Sequence, residues 1–345
     1  MRLLIVTQVV DVTDPYLGFF HSWLLEFARR FERIEVICLR EGKHSLPENV
    51  QVHSLGKEQG VSRLTYLLRL MRYAWQLRRG YDAVFVHMNQ EYVLLLGWLW
   101  KSLRKRIYLW RNHYEGGVIT DIAAQFATKV FCTSRFSYTA KYTKTTLMPI
   151  GVDTDTFRAQ PGVVRVPRPI LFFGRFAPAK RPHVLLEALG ILASEGVSFR
   201  ASFYGSALPK HATYRREVVQ CAGKFGLSEV VTFFEGVPHA EAPAIFSAHE
   251  IFVNLSSSGM YDKTIFEAAA CGALVLSSSR DVAALSGDGF VLSDPEDASG
   301  LADKLRTTLA LPEEERSRLA SQMRADLLRG QDLRALGERL FAEVQ

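Results

Sequence analysis

The stretch at 251–277, IFVNLSSSGMYDKTIFEAAACGALVLS, decides how the rest of the chain is read. Residues 251–255 are an apolar strand, a Ser/Gly loop follows, a short helix is predicted over 263–270, Gly272 stops it, and a second buried strand begins at Ala273. Asp262 stands where an N-cap accepts the first free backbone N–H groups, and Ala268, Ala269 and Ala270 let the helix lie close on a sheet. A helix that begins directly after a strand turns its unpaired N–H groups and its positive dipole end toward any anion at the strand's carboxyl edge. Phosphate is therefore expected there. Glu267, within the first two turns, reads by itself as a solvated or structural carboxylate.

Outward from this stretch the same alternation recurs. Strands are predicted at 2–10, 33–40, 49–56, 82–88, 106–110, 129–134 and 145–150, with helices at 19–31, 62–79 and 91–105. The pattern stops at GVDTDTFRAQPGVVRVPRP (151–169), a Pro-containing linker, and restarts with strands at 170–174, 199–205 and 230–235 and helices at 183–194, 213–225 and 239–248. After Pro295 the chain is helical. Strand–helix alternation means parallel strands joined by crossover helices. The expected fold is α/β, with two Rossmann-like doubly wound domains facing across a cleft: 1–155, then 165–345 including the terminal helices.

Length and composition agree with two domains. The 345 residues are 48% hydrophobic and 23% charged, as in an ordinary globular protein. MRLLIVTQVVDVTD breaks at Asp11, too early for a signal peptide's apolar region, and no run approaches the roughly 18 apolar residues of a membrane span. Cys38, Cys132, Cys221 and Cys271 are far apart, contain no C-x-x-C pair, and read as reduced thiols of a cytoplasmic protein. The net charge of +6 suits an acidic ligand but decides little alone, and no nucleic-acid partner is expected.

Between strand and helix, GRFAPAK (174–180) places Arg175 and Lys180 beside a helix start, where they can pair with two neighbouring phosphates or stay solvated. Gly18 sits in the turn after the first strand, Ser206 follows the strand ending at Gly205, and EGVPHAE (235–241) is a Gly-Val-Pro turn before a helix. His87, Asn89 and His113 lie at or past strand ends. Neither G-x-G-x-x-G nor a Walker A sequence occurs. Asp153 and Asp155 form a D-x-D that also reads as a turn, and no His/Cys cluster offers a metal site. The segment 62–79 carries five arginines and no acid, with Leu64, Leu67, Leu68, Met71 and Trp75 at helical spacing. Such a helix can lie on an anionic bilayer, but the preferred reading packs this stripe on the sheet and leaves the arginines solvated. YVLLLGWLWKSLRKR (92–106) invites the same two readings.

FFGRFAPAKRP (172–182), Glu267 and AAACG (268–272) resemble the family 4, nucleotide-sugar-dependent, retaining glycosyltransferases of the GT-B type. The resemblance implies a sugar moved from a nucleotide diphosphate donor, a UDP- or GDP-sugar, to an acceptor hydroxyl on a glycan, lipid-linked or small molecule, with neither a metal nor another cofactor required. It implies that Arg175, Lys180 and the helix start hold the diphosphate, that His113 lies near the donor sugar and the attacking hydroxyl, and that Glu267 binds the ribose. It also assigns donor contacts to Gly18, Ser206, Gly236, Val237, Met260, Tyr261 and Asp262, and makes Asp153 and Asp155 turn formers. His87 and Asn89 are read as acceptor-pocket residues, and 62–79 and 92–106 are the segments through which any peripheral contact with the inner face of a membrane would be made. One departure stands out: the family's first glutamate is Gly259 here. A non-catalytic nucleotide-sugar-binding partner of a membrane glycosyltransferase is therefore the alternative, and a GT-B epimerase a third reading.

Overall fold

In the computed structural model, which describes residues 1–14, 16–165, 169–259 and 262–345, the chain divides into two compact units. The first comprises Met1–Gly151 with Gln331–Gln345, the second Val152–Gly330.

Seven parallel strands build the first unit: β1 (Arg2–Val10), β2 (Arg33–Glu41), β3 (Val50–Ser54), β4 (Ala83–His87), β5 (Arg106–Trp110), β6 (Lys129–Cys132) and β7 (Thr145–Leu147), in the order β3-β2-β1-β4-β5-β6-β7. Alternate residues point to opposite faces. Leu4, Val6, Val84, Val86, Ile107, Leu109 and Val130 meet the inner sides of α2 (Arg63–Gln76), α3 (Gln90–Ser102) and α4 (Val118–Phe126). On the other face α1 (Phe19–Ala28) brings Trp23 against Trp110 and Phe27 against Phe85.

The second unit is a five-stranded parallel sheet of β8 (Pro169–Phe173), β9 (Arg200–Tyr204), β10 (Val231–Phe234), β11 (Ile251–Asn254) and β12 (Leu274–Ser277), in the order β10-β9-β8-β11-β12. Its helices are α5 (Pro182–Ser194), α6 (Ala212–Lys224), α7 (Ala242–Ala248), α8 (Lys263–Ala270), the short α9 (Ala283–Ser286), α10 (Ala298–Ala310) and α11 (Glu313–Leu328). Leu185, Leu189, Val218, Leu301 and Leu305 cover one face. α8 and α11 lie together, with Met323 Sδ receiving the Val275 N–H at 3.5 Å.

Three features differ from the sequence-based expectation. The final helix, α12 (Leu333–Val344), falls in the first unit, where Leu336, Leu340 and Val344 are fully buried and the Tyr108 hydroxyl donates to Val344 O at 3.2 Å. The stretch read as a linker contributes buried Val152 and Phe157 to the second unit. On α2 most of the apolar stripe expected on the sheet faces solvent: Leu64, Leu67, Leu68 and Trp75 are exposed, while Met71 of that stripe packs on the core with Leu70 and Ala74.

Because α12 completes the first core, Leu340→Ala should lower stability by about 2–5 kcal/mol in urea titrations, the range for emptying a buried leucine site. Deleting 331–345 should abolish the near-ultraviolet circular dichroism of the first unit's tryptophans.

Candidate functional site

The second sheet changes direction between β8 and β11. The chain leaves β8 toward β9 on one side and leaves β11 toward β12 on the other, so the loops after these two neighbours meet at the carboxyl edge. A dense set of polar contacts joins them. Lys180 Nζ donates to Asp262 Oδ2 at 2.6 Å and to Ser256 Oγ at 2.9 Å. The next residue, Arg181, donates to Leu255 O at 2.9 Å and pairs with Glu296.

Asp262 is the N-cap of α8. Its Oδ1 receives the Thr264 N–H at 3.3 Å and the Thr264 hydroxyl at 2.6 Å, and its Oδ2 receives Asn254 Nδ2 and the Ser256 hydroxyl, each at 2.7 Å, besides Lys180. Burial works to raise its pKa, but the Lys180 charge and hydrogen bonds from Lys180, Thr264 and Asn254 overrule it and hold the group well below the usual carboxylate range. This carboxylate is fully engaged. Its contribution is to fix the helix start and to aim Lys180, whose ammonium has one further N–H to give.

Arg175 lies in the loop directly after β8 and is exposed. The loop clips onto the end of β9 through Gly174 N to Tyr204 O at 3.0 Å and Phe176 N to Ser206 O at 3.1 Å. A β-carbon on Gly205 would lie 1.8 Å from Gly174 O, so only glycine permits this approach. Ser206 Oγ in turn accepts from Gly236 N at 3.0 Å and donates to Glu235 Oε2 at 2.9 Å, while Arg215 pairs with Glu235 at 2.6 Å. These residues border a cavity of about 510 Å³ lined by Ser206, Arg215, Arg216, Gln220 and Glu235. Val237 is half-buried beside them in sequence, and Met260 and Tyr261 lie outside the described residues.

One turn along α8, buried Glu267 places Oε1 3.1 Å from His239 Nε2, and the His239 ring sits 4.9 Å from that of Phe157. His239 lies within EGVPHAE and its partner is 28 residues away, so the sequence shows the histidine but not the contact. Lys263, the first residue of α8, is buried, and burial pushes its ammonium down to about 7 against the opposing pull of Glu267 and Asp153. Asp153 folds back on its own loop, receiving the N–H groups of Asp155 and Thr156 at 3.2 Å each, as a turn former does.

Gly259 is buried, has φ +79°, and donates its N–H to Asp281 Oδ2 at 3.1 Å. A glutamate here would have to enter the left-handed region, which disfavours side chains by about 1–2 kcal/mol. The missing carboxylate is therefore part of how this loop folds.

In the first unit Gly18 begins α1 without a side-chain cap. His87 is buried, stacked on Phe20 at 4.2 Å, with Nδ1 3.1 Å from Thr7 Oγ1. That packing departs from its reading as an open acceptor-pocket residue. Asn89 is half-buried and accepts from Gln8 Nε2. His113 Nδ1 accepts the Glu115 N–H at 2.9 Å, which leaves Nε2 as the ring's protonated donor in the neutral form.

The Lys180–Asp262 pair should dominate local stability. Lys180→Ala should cost about 3–5 kcal/mol in denaturant titrations, as when one partner of a buried pair is removed, whereas Lys180→Met with Asp262→Asn should recover part of that loss. A depressed carboxylate pKa contributes stability that is present above its unfolded value of about 3.9 and lost as pH falls through the lower folded value. Acid titration of Lys180→Ala should therefore unfold at higher pH than the wild type.

Comparison with known proteins fits this geometry. Residues 167–310 match the family Glycosyl transferases group 1. D-inositol 3-phosphate glycosyltransferase of Mycolicibacterium smegmatis is 28% identical over 170 residues, 46% of this chain and 38% of that protein. The Mycobacterium tuberculosis (strain F11) protein of the same name is 30% identical over 139 residues, 37% of this chain and 28% of its own length. The matched part thus spans less than half of these relatives. Among solved structures, Anabaena HepE in complex with UDP superposes with a TM-score of 0.80 at 19% identity, covering 100% of this chain and 99% of its own, and the same protein has been solved with UDP-glucose. Sucrose-phosphate synthase of Thermosynechococcus elongatus gives 0.75 at 16% identity, covering 99% of this chain and 98% of its own. Residues 167–310 are thus similar to the family Glycosyl transferases group 1, and the two Rossmann-like sheets have the GT-B fold seen in HepE and sucrose-phosphate synthase.

Proposed function

We propose that the protein is a retaining, metal-independent glycosyltransferase that moves a sugar from a nucleotide diphosphate donor to an acceptor hydroxyl. The observation that carries this reading is Lys180, held 2.6 Å from the N-cap of α8 at the sheet's switch point. Breaking the C1–O bond of the donor builds negative charge on the β-phosphate, and fixed cations with helix N–H groups stabilise such charge without reorganising. Arg175 and Lys180 supply the cations, and the first turn of α8 supplies the N–H groups. Glu267, steadied by His239, accepts hydrogen bonds from the ribose hydroxyls. Ser206, Gly236 and Val237 border the nucleotide. In the first unit Gly18 approaches the phosphates, while His113, with Nε2–H as donor, holds an oxygen of the sugar or acceptor. Asn89 serves the acceptor. A UDP-sugar is the favoured donor, since HepE binds UDP and UDP-glucose. Membrane contact through 62–79 or 92–106 would suit a lipid-linked acceptor.

Gly259 favours a second reading. A chain with no carboxylate at that position binds the nucleotide but grips the sugar less, as a non-catalytic partner of a membrane glycosyltransferase would. Incubation with UDP-, GDP- and ADP-sugars plus membrane extract, followed by mass spectrometry, separates the two. A glycosylated product supports transfer; nucleotide binding with no product supports the silent partner.

UDP or GDP should raise the melting temperature, by mass action on the folded state, and Arg175→Gln should remove the shift. If neither nucleotide moves the transition, the donor site is wrongly assigned. A second expectation concerns protons. With its pKa pushed down to about 7, Lys263 is partly deprotonated near neutrality, and a bound diphosphate raises that pKa. Calorimetric titration with UDP in two buffers of different ionisation enthalpy should show proton uptake between about pH 7 and 8, absent in Lys263→Met.

A further inference from the structure

α2 carries two apolar stripes. Tyr66, Leu70, Tyr73, Ala74 and Leu77 turn to the sheet and pack in the first unit's core. The opposite stripe has no such partner: Leu64 is 64% exposed, Leu68 61% and Trp75 52%. At 100° per residue Leu64, Leu68 and Trp75 fall within about 20° of their mean direction, and Met71 beside them packs on the core. Arg72 and Arg79 flank this stripe and are exposed, and Arg78 stacks over the Trp75 ring at 4.0 Å. The helix contains no acidic residue.

The two helices that share this face of the sheet continue the pattern. Trp98 on α3 is 54% exposed, and Val118 and Ile119 at the start of α4 are 73% and 59% exposed. Water-facing tryptophan and branched aliphatic side chains on three helices of one layer go beyond scattered surface apolar residues. A soluble protein partner of opposite charge would offer carboxylates to the arginines but gives no reason for a continuous aliphatic stripe between them. Apolar residues able to enter an acyl boundary, bordered by cations at headgroup level, match the chemistry of an anionic bilayer.

We infer that the outer face of α2, α3 and α4 docks on an anionic lipid bilayer, with Leu64, Leu68 and Trp75 inserted and Arg72, Arg78 and Arg79 on lipid phosphates. The interaction needs no nucleotide, so it stands or falls separately from the donor site.

The full chain should sediment with vesicles of phosphatidylcholine containing phosphatidylglycerol, and not with phosphatidylcholine alone. Brominated acyl chains should quench tryptophan emission, and Trp75→Phe should reduce the quenching. Leu64→Ser with Leu68→Ser should lower vesicle partitioning by about tenfold or more, since burying one leucine side chain is comparable to a tenfold step in affinity. The exposed positions leave the core intact, so the double variant should keep the wild-type melting curve and the UDP-induced shift. Absence of binding to anionic vesicles overturns the proposal, as does binding undiminished in the double variant. Self-association in analytical ultracentrifugation that the double variant abolishes, without vesicle binding, also overturns it and assigns the face to a second copy.

Discussion

The carboxyl edge of the second unit's sheet depends on one ion pair shielded from solvent. Lys180 and Asp262 come from loops that follow neighbouring strands, and their contact at 2.6 Å holds the two loops in register at the point where the sheet reverses. A charge pair taken out of water is unfavourable unless its remaining hydrogen-bonding capacity is met. Asn254, Ser256 and Thr264 meet it for the carboxylate, and each lies within ten residues of Asp262 in the chain. The pair is thus a rigid support assembled from local sequence, with one long-range partner to lock it.

Around that support the charged groups divide by task. Asp262 and Arg181 are consumed by internal contacts and act by positioning. Arg175 is exposed on a loop that Gly205 lets sit against β9. Glu267 and His239 form a separate polar pair deeper along α8, beside the buried Lys263. Preorganisation of this kind matters where charge changes, because groups already held in place need not rearrange when it develops. Gly259 modifies the scheme at one point, giving up a carboxylate to a backbone that only glycine adopts comfortably.

Much of this was legible in residues that act locally. The strand, N-cap, alanine run and Gly stop of 251–277 each depend on near neighbours, and the structure has them as β11, Asp262, α8 and Gly272. Less was legible where two solutions satisfy the same local rule. Both stripes of α2 are apolar at helical spacing, so hydrophobicity alone could not say which one meets the sheet. α4 is not legible in the sequence because Val118, Ile119 and Thr120, β-branched residues after two glycines, carry no start signal for a helix. The Glu267–His239 contact and the left-handed φ of Gly259 arise from tertiary packing and leave no mark on residue spacing.

The placement of α12 reaches beyond the folded state. A ribosome releases residues 1–151 long before 331–345, yet Leu336, Leu340 and Val344 fill a hollow in that earlier portion. Translation therefore finishes the second unit while its predecessor still shows unburied apolar surface, open to chaperones and to wrong pairings. The half that is made first is the last to be sealed.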